Sequence, residues 1–237
     1  LPSITEHARA LRDASREELE EIVAEFDREA ALDTGSDTEA ARDFEREALT
    51  VQVPVPGSLQ ASLRLGRRWP QPQHPDTHRL NLLVKVLGGY FGSRLMKNIR
   101  EDKGLTYGIY ASVQPREHAS ALVIGTDVNG ESAELAVREI NLELRRLQEE
   151  LIPEEELATV KNYILGKFAN ELSTVFEQCD KYKTLVFLGL PADYYERYVH
   201  DIEHTDATTL RELAQQYLSP EEMQTVVAGP ETAVLAE

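Results

Sequence analysis

Two β-rich runs, 107–114 and 119–126, stand only four residues apart across the polar turn Pro115-Arg116-Glu117-His118. That spacing commits the middle of the chain to an antiparallel hairpin. Directly after it, Val137, Ile140, Leu144, Leu147 and Leu151 recur every three or four residues, the mark of an amphipathic helix with one buried stripe. A hairpin and a one-sided helix must cover each other's apolar faces, so a layered α+β core is required. Upstream, Leu59-Gln60-Ala61-Ser62-Leu63-Arg64-Leu65 alternates apolar and polar, a further strand with one buried face. Downstream, Thr225-Val226-Val227-Ala228-Gly229 is a last strand, stopped by Gly-Pro. The expectation is an antiparallel β-sheet with helices packed on one face.

Helices fill the intervals. Asp76 is placed to cap a helix carrying Leu80, Leu83, Val84 and Leu87, Gly88-Gly89 stops it, and a short helix follows through Leu95, Met96 and Ile99. Pro153-Glu154-Glu155-Glu156 opens a long helical segment with Leu157, Val160, Ile164 and Phe168, which resumes through Tyr182 and Val186. Asp193 restarts a helix to about Ile202, and Thr205 is read as the cap of the last one, with Leu210, Leu213, Ala214 and Tyr217 inward. At the other end, Ser15-Arg16-Glu17-Glu18 forms a capping box before Leu19, Ile22, Val23 and Phe26, so 1–30 reads as a helical segment. Residues 31–48 are polar and aperiodic, a linker, and the compact domain is expected over 49–237. Leu1-Pro2-Ser3 is neither an initiator Met nor a signal peptide, so the chain reads as an excised piece of something longer.

Composition narrows the function. At 41% hydrophobic and 28% charged, 237 residues can bury a sizeable core, which rules out wholesale disorder. The net charge of −17 repels phosphate backbones, so no nucleic-acid partner is expected. No stretch approaches the roughly 20 apolar residues of a membrane span. Cys179 is the sole cysteine, which excludes internal disulfides and Cys-rich zinc modules. Its place among apolar helical residues points to a buried structural thiol. The 18 Arg against 7 Lys, beside abundant acids, fit either a salt-rich host or a solvated acidic surface.

Several constellations bear chemistry. His200-Asp201-Ile202-Glu203-His204 is a literal H-x-x-E-H, in which two His one turn apart can bind zinc and the Glu can activate water. Against it stand the absence of room for a third acidic ligand, with 33 residues left, and the helix break implied at Thr205. An autonomous zinc hydrolase on His200, Glu203 and His204 is therefore the poorer alternative. His74 and His78 are separated by Pro75 and Asp76, which points to surface or capping roles. The glycine-rich stretch 87–95 follows a helix and lacks a phosphate-binding lysine, so it reads as a tight turn for close packing. Arg100 and Tyr107 flank the turn Glu101-Asp102-Lys103-Gly104-Leu105-Thr106, where a guanidinium fork and a phenol can converge on a peptide carbonyl.

Four segments resemble one family: Val53-Pro54-Val55-Pro56-Gly57-Ser58-Leu59-Gln60-Ala61, His74-Pro75-Asp76, Leu87-Gly88-Gly89-Tyr90-Phe91-Gly92-Ser93-Arg94-Leu95-Met96 and Ile99-Arg100-Glu101-Asp102-Lys103-Gly104-Leu105-Thr106-Tyr107. They are similar to the C-terminal, non-catalytic half of the M16 zinc metallopeptidases (the pitrilysin, insulinase and mitochondrial-processing-peptidase type). Later segments around Gly189-Leu190-Pro191 and the terminal Val-Val-Ala-Gly strand agree, over about 51–230. The resemblance implies two α/β halves closing around extended peptide. Zinc is expected in the missing catalytic half and no cofactor in this chain. The partner is that half, in the same chain or a second subunit, with a peptide as substrate. It implies that Arg100 and Tyr107 contact the substrate, that 1–30 is a tail or tether from the preceding half, and that this chain alone is not an enzyme. An assembly module without any peptidase role is the other alternative. The compartment stays open between bacterial cytoplasm and periplasm.

Overall fold

A computed structural model describes residues 49–115, 119–231 and 233, all within one compact unit that runs from Glu47 to Glu237. The segments read as helical tail and linker, and the hairpin tip 116–118, lie outside the described residues. The strands are β1 (Thr50–Pro54), β2 (Gln60–Trp69), β3 (Ile109–Pro115), β4 (Ser120–Asn129) and β5 (Gln224–Gly229), in the sheet order β1-β5-β2-β4-β3. The helices are α1 (Thr77–Gly88), α2 (Ala133–Glu149), α3 (Glu154–Asn170), α4 (Val175–Phe187), α5 (Tyr194–His204) and α6 (Ala207–Tyr217).

The sheet forms because two long strands carry matched alternation. In β2, Ala61, Leu63, Leu65 and Trp69 are buried, and they pair in register with Val128, Thr126, Ile124 and Ser120 of β4. Each fully buried leucine there contributes about 2 kcal/mol of transfer free energy. The hairpin β3–β4 is antiparallel as expected, with Ala111 opposite Ile124 and Val113 opposite Leu122. β1 departs from the antiparallel expectation, since it runs parallel to β5 at the sheet's edge, Val51 opposite Val226. Alternation marks which face of a strand is buried and carries no information on the direction of its neighbour. β2 also extends past Leu65 to Trp69 and excludes Leu59, which is left exposed. Arg67 holds the inward parity by sending its guanidinium to the Tyr217 carbonyl, 2.9 Å away, and to Glu222.

α1 and α2 cover the buried face, with Leu80, Leu83, Leu87, Ile140 and Leu144 wholly inaccessible. Gly88 allows the end of α1 to lie against β3, where an added Cβ would stand 2.7 Å from the Ala111 nitrogen. The close packing expected of the glycine-rich turn is thus helix against strand, with Leu95 on the same spot. Several local readings change. α2 stops at Glu149, so Leu151 is exposed and Ile152 takes the buried place. Asp76 makes no capping hydrogen bond to α1 and pairs instead with Arg79 at 3.3 Å. Thr205 is the C-terminal boundary of α5, its Oγ1 donating to the Asp201 carbonyl at 2.6 Å. The cap of α6 is Asp206, which accepts from the Thr209 N–H at 2.8 Å.

α4 holds the largest correction. It begins with a complete capping box, Thr174 with Glu177, yet none of its residues is buried. Val175, Phe176, Tyr182, Val186 and Phe187 are all exposed, and so is Cys179, which is not the buried thiol expected. Apolar spacing shows that a helix has an apolar side, not that the chain has something to put against it.

Candidate functional site

Arg100 and Tyr107 sit on the connection between α1 and β3. The short helix expected there is a single π-type turn, Met96–Asp102, wider than an α-helix, in which the Lys103 N–H donates to the Asn98 carbonyl at 3.1 Å. A wide turn is held by what lies beneath it. Asn98 is buried, and its amide donates to Glu143 at 2.7 Å and to Glu139 at 3.2 Å, both from α2. Lys103 closes the network, donating to the Asn98 side-chain oxygen at 2.5 Å and pairing with Glu139 at 3.1 Å, while Arg146 donates to Glu143 at 2.9 Å. Two buried carboxylates are tolerated because each meets a cation and an amide. Burial alone would raise the Glu139 carboxyl. The hydrogen bonds from Lys103 and Asn98 and the charges of Lys103 and Arg138 outweigh it, and hold the group below the ordinary carboxylate range.

Beyond Lys103 the chain turns at Gly104, whose φ of +61° lies in the left-handed region that favours glycine. Thr106 then rivets the loop to β4. Its hydroxyl donates to the Asp127 carbonyl at 2.8 Å, receives the Gly108 N–H at 3.1 Å, and is met by the Thr126 hydroxyl at 2.9 Å. The loop is therefore fixed at both ends while Tyr107 between them is 98% exposed. Tyr107 rises beside an open cleft of about 730 Å³, lined also by Leu59, Gln60, Leu105 and Asn129. Arg100 lies over the Phe91 ring, 4.6 Å from its centre, and pairs with no carboxylate among the described residues. Arg100 thus presents a guanidinium on an exposed aromatic ring and Tyr107 a solvent-facing phenol; both lie on one held connection, but the cleft beside Tyr107 is not lined by Arg100. Such groups can donate hydrogen bonds to a peptide carbonyl that arrives from outside.

The other sequence candidates fall elsewhere. His200 and His204 lie on α5 with their rings stacked, centres 4.2 Å apart, and His204 Nδ1 is 2.8 Å from the His200 carbonyl. Stacked rings do not aim two nitrogens at a common ion, and one nitrogen of His204 is already turned to the His200 backbone carbonyl. Among the described residues no group of three or more His, Cys, Asp and Glu is arranged to hold a metal. The donor set does not fit zinc. His74 Nδ1 accepts the Asp76 N–H at 3.2 Å, a local capping role as expected. His78, expected at the surface, is buried against Tyr194 and Tyr198 and bonds Asp201 at 2.8 Å, joining α1 to α5.

The model of the peptidase M16 inactive domain matches residues 13–164, more than half of the sequence. The chain belongs to this family. Its fold is that of a solved peptidase M16 inactive domain from Pseudomonas fluorescens, with a TM-score of 0.72 at 24% identity over 81% of this chain and 46% of that one. A protease structure from Helicobacter pylori superposes as well, with a TM-score of 0.72 at 21% identity over 78% of this chain and 45% of that one. Among curated proteins, the non-peptidase homolog YmxG of Helicobacter pylori is 25% identical over 130 residues, which are 54% of this chain and 30% of that protein. The zinc protease YmxG of Bacillus subtilis, itself uncharacterized, is 30% identical over 115 residues, 48% of this chain and 28% of that protein. The matched stretches span less than a third of those relatives' lengths. Membership confirms the α+β M16 half expected from the motifs and makes the domain one of the non-catalytic type. Among the described residues no helix is long and apolar enough to cross a membrane.

Sequence reading singled out Arg100 and Tyr107 as candidates and missed what holds them. Phe91 gave no signal beyond an aromatic in a glycine-rich turn. Glu139 and Glu143 lie four apart on one face of α2, the same side as Ala136 and Ile140, and acids on a buried stripe are the available clue to a network beneath.

Proposed function

We propose that this domain is the non-catalytic half of an M16 peptidase, that it binds extended peptide, and that it completes the cleavage chamber formed with a catalytic half. The observation that supports this most directly is the loop 103–108, pinned by Thr106 and by the Asn98 network while Tyr107 stands wholly exposed. A phenol held out in solvent on a fixed loop keeps its hydroxyl open to a partner's polar groups. In this reading Arg100 and Tyr107 orient the substrate carbonyl and steady the charge that develops on it. Zinc and the water it activates belong to the other half.

The test is metal content and peptide cleavage on this chain alone, and mixed with its catalytic half. Cleavage that appears only in the mixture, and falls about 100-fold in Arg100→Ala or Tyr107→Phe, supports the substrate role. Stoichiometric zinc with cleavage in this chain alone overturns it. An assembly module without peptidase function is the second reading, favoured by the name of the Helicobacter pylori relative, a non-peptidase homolog. A mixture that assembles without cleaving any peptide selects it.

A further inference from the structure

At the far end of the strands from Tyr107, where Trp69 pairs with Ser120, a cavity of about 330 Å³ opens between α1, α3, α4 and α5. Ser120 and Thr126 are six residues apart on β4, so this cavity lies about 20 Å from the Tyr107 loop. Its walls are aromatic: Trp69, Tyr163, Phe168, Tyr194 and Tyr198. Lys85, Lys167 and Lys181 also line it, three of the seven lysines in a chain of net charge −17. Glu171 is the acid among them. Its carboxylate takes Lys181 at 2.5 Å and stands 3.8 Å from Lys167, so its charge is already engaged. Among the described residues the Lys85 ammonium has only the Gly89 carbonyl as a hydrogen-bond partner, at a long 3.4 Å.

We propose that this cavity binds a monoanionic carboxylate carried on an aromatic or aliphatic body, with the Lys85 ammonium as its anchor. The size suits a small ligand, and a few convergent polar groups on apolar walls are how such sites fix orientation. Charge decides the sign of the ligand, because three cations face one acid, and among the described residues Lys85 alone of the three makes no ion pair with it. Burial and the nearby Lys167 charge lower the Lys85 pKa from its ordinary value, only partly offset by Glu171, and a bound carboxylate supplies the counter-charge that is missing. The Tyr194 and Tyr198 phenols add no competing negative charge at neutral pH, and burial pushes both further up, to about 12. The aromatic walls disfavour a bare, strongly hydrated anion such as inorganic phosphate. A free acid and a peptide C-terminus share the required chemistry.

Trp69, the sole tryptophan, lies in the wall and reports on occupancy by its fluorescence. The 237-residue chain is titrated with 3-phenylpropionate, with its neutral amide, and with N-acetyl-glycyl-glycyl-phenylalanine. Saturable binding of at least one acid is expected, with the amide at least about tenfold weaker, equivalent to 1.4 kcal/mol. Lys85→Met is expected to abolish the preference for acid over amide while leaving the Trp69 signal. A tenfold preference for the free acid or for the peptide assigns the source. Equal titration by acid and amide in the wild-type chain, or no saturation below about 10 mM, overturns the proposal whether or not the Lys85→Met variant folds.

Discussion

Replacing Asn98 by alanine removes the amide that satisfies two buried carboxylates at once. Glu139 and Glu143 are 7% and 3% exposed, and both lose a donor, at 3.2 and 2.7 Å. A hydrogen bond to a charged group is worth about 1.5–3 kcal/mol, and the Lys103 contact to the Asn98 side-chain oxygen goes as well. Part of this is recovered, because Lys103 still reaches Glu139 and Arg146 still reaches Glu143. The net cost is therefore set at about 3 kcal/mol, that is, two charged hydrogen bonds at the low end of their range. For a unit of this size each kcal/mol moves Tm by about 2–4 °C, so Asn98→Ala should melt about 6–12 °C lower. Differential scanning calorimetry at pH 7 measures it directly. Asn98→Leu, which restores volume without a donor, should be nearly as damaging, since the loss lies in polar satisfaction rather than packing. Hydrogen exchange should also quicken across 96–106, because the π turn loses its support. A Tm change below about 2 °C in both variants would refute the reasoning and show that water or the two cations satisfy the acids unaided.

Three further outcomes follow from particular residues. Thr106→Ala should cost no more than about 1 kcal/mol in urea denaturation, since its bonds to Asp127 and Gly108 are exposed and the Thr126 hydroxyl keeps the Gly108 carbonyl, yet on the proposed peptide-binding role it should weaken cleavage in the assembled protein by releasing the Tyr107 loop. Glu139 has a folded pKa below its unfolded one, so its contribution is present above the ordinary carboxylate range and lost as the pH falls through the folded value. Urea midpoints from pH 7 to pH 3 should thus decline less steeply in Glu139→Gln than in the wild type, and parallel curves would exclude the effect. Cys179, exposed on α4, should react with a thiol reagent such as dithiobis-nitrobenzoate in the native protein at the rate seen in urea to within about tenfold, whereas a buried thiol would wait for unfolding.

Much of this was legible before any coordinates. The β3–β4 hairpin and the stripes of α2 and α6 are encoded in spacings of two, three or four residues. Such spacings act within one element, so they survive any rearrangement of the rest. Arg100 and Tyr107 could likewise be picked out, because both lie on one short connection and belong to a recognisable run. Where local reading failed, the deciding partner lay outside the pattern being read, one helical turn back or far away in sequence. Asp206 took the cap assigned to Thr205 because Thr205 is buried against the Asp201 carbonyl. His78 left the surface because Asp201, 123 residues later, offered it a hydrogen bond.

Sequence by itself therefore determined most of the element types, the α+β class, the net charge of −17 and the connection on which Arg100 and Tyr107 stand. Tertiary structure alone decided that β1 joins β5 in parallel, that Asn98 carries two buried acids, and that α4 turns Phe176 and Cys179 to solvent. It alone gathered Lys85, Lys167 and Lys181 around one aromatic cavity. The physical reason is the same in each case: burial, pairing direction and charge compensation are properties of two or more segments in contact. No pattern confined to one segment specifies what will stand opposite it.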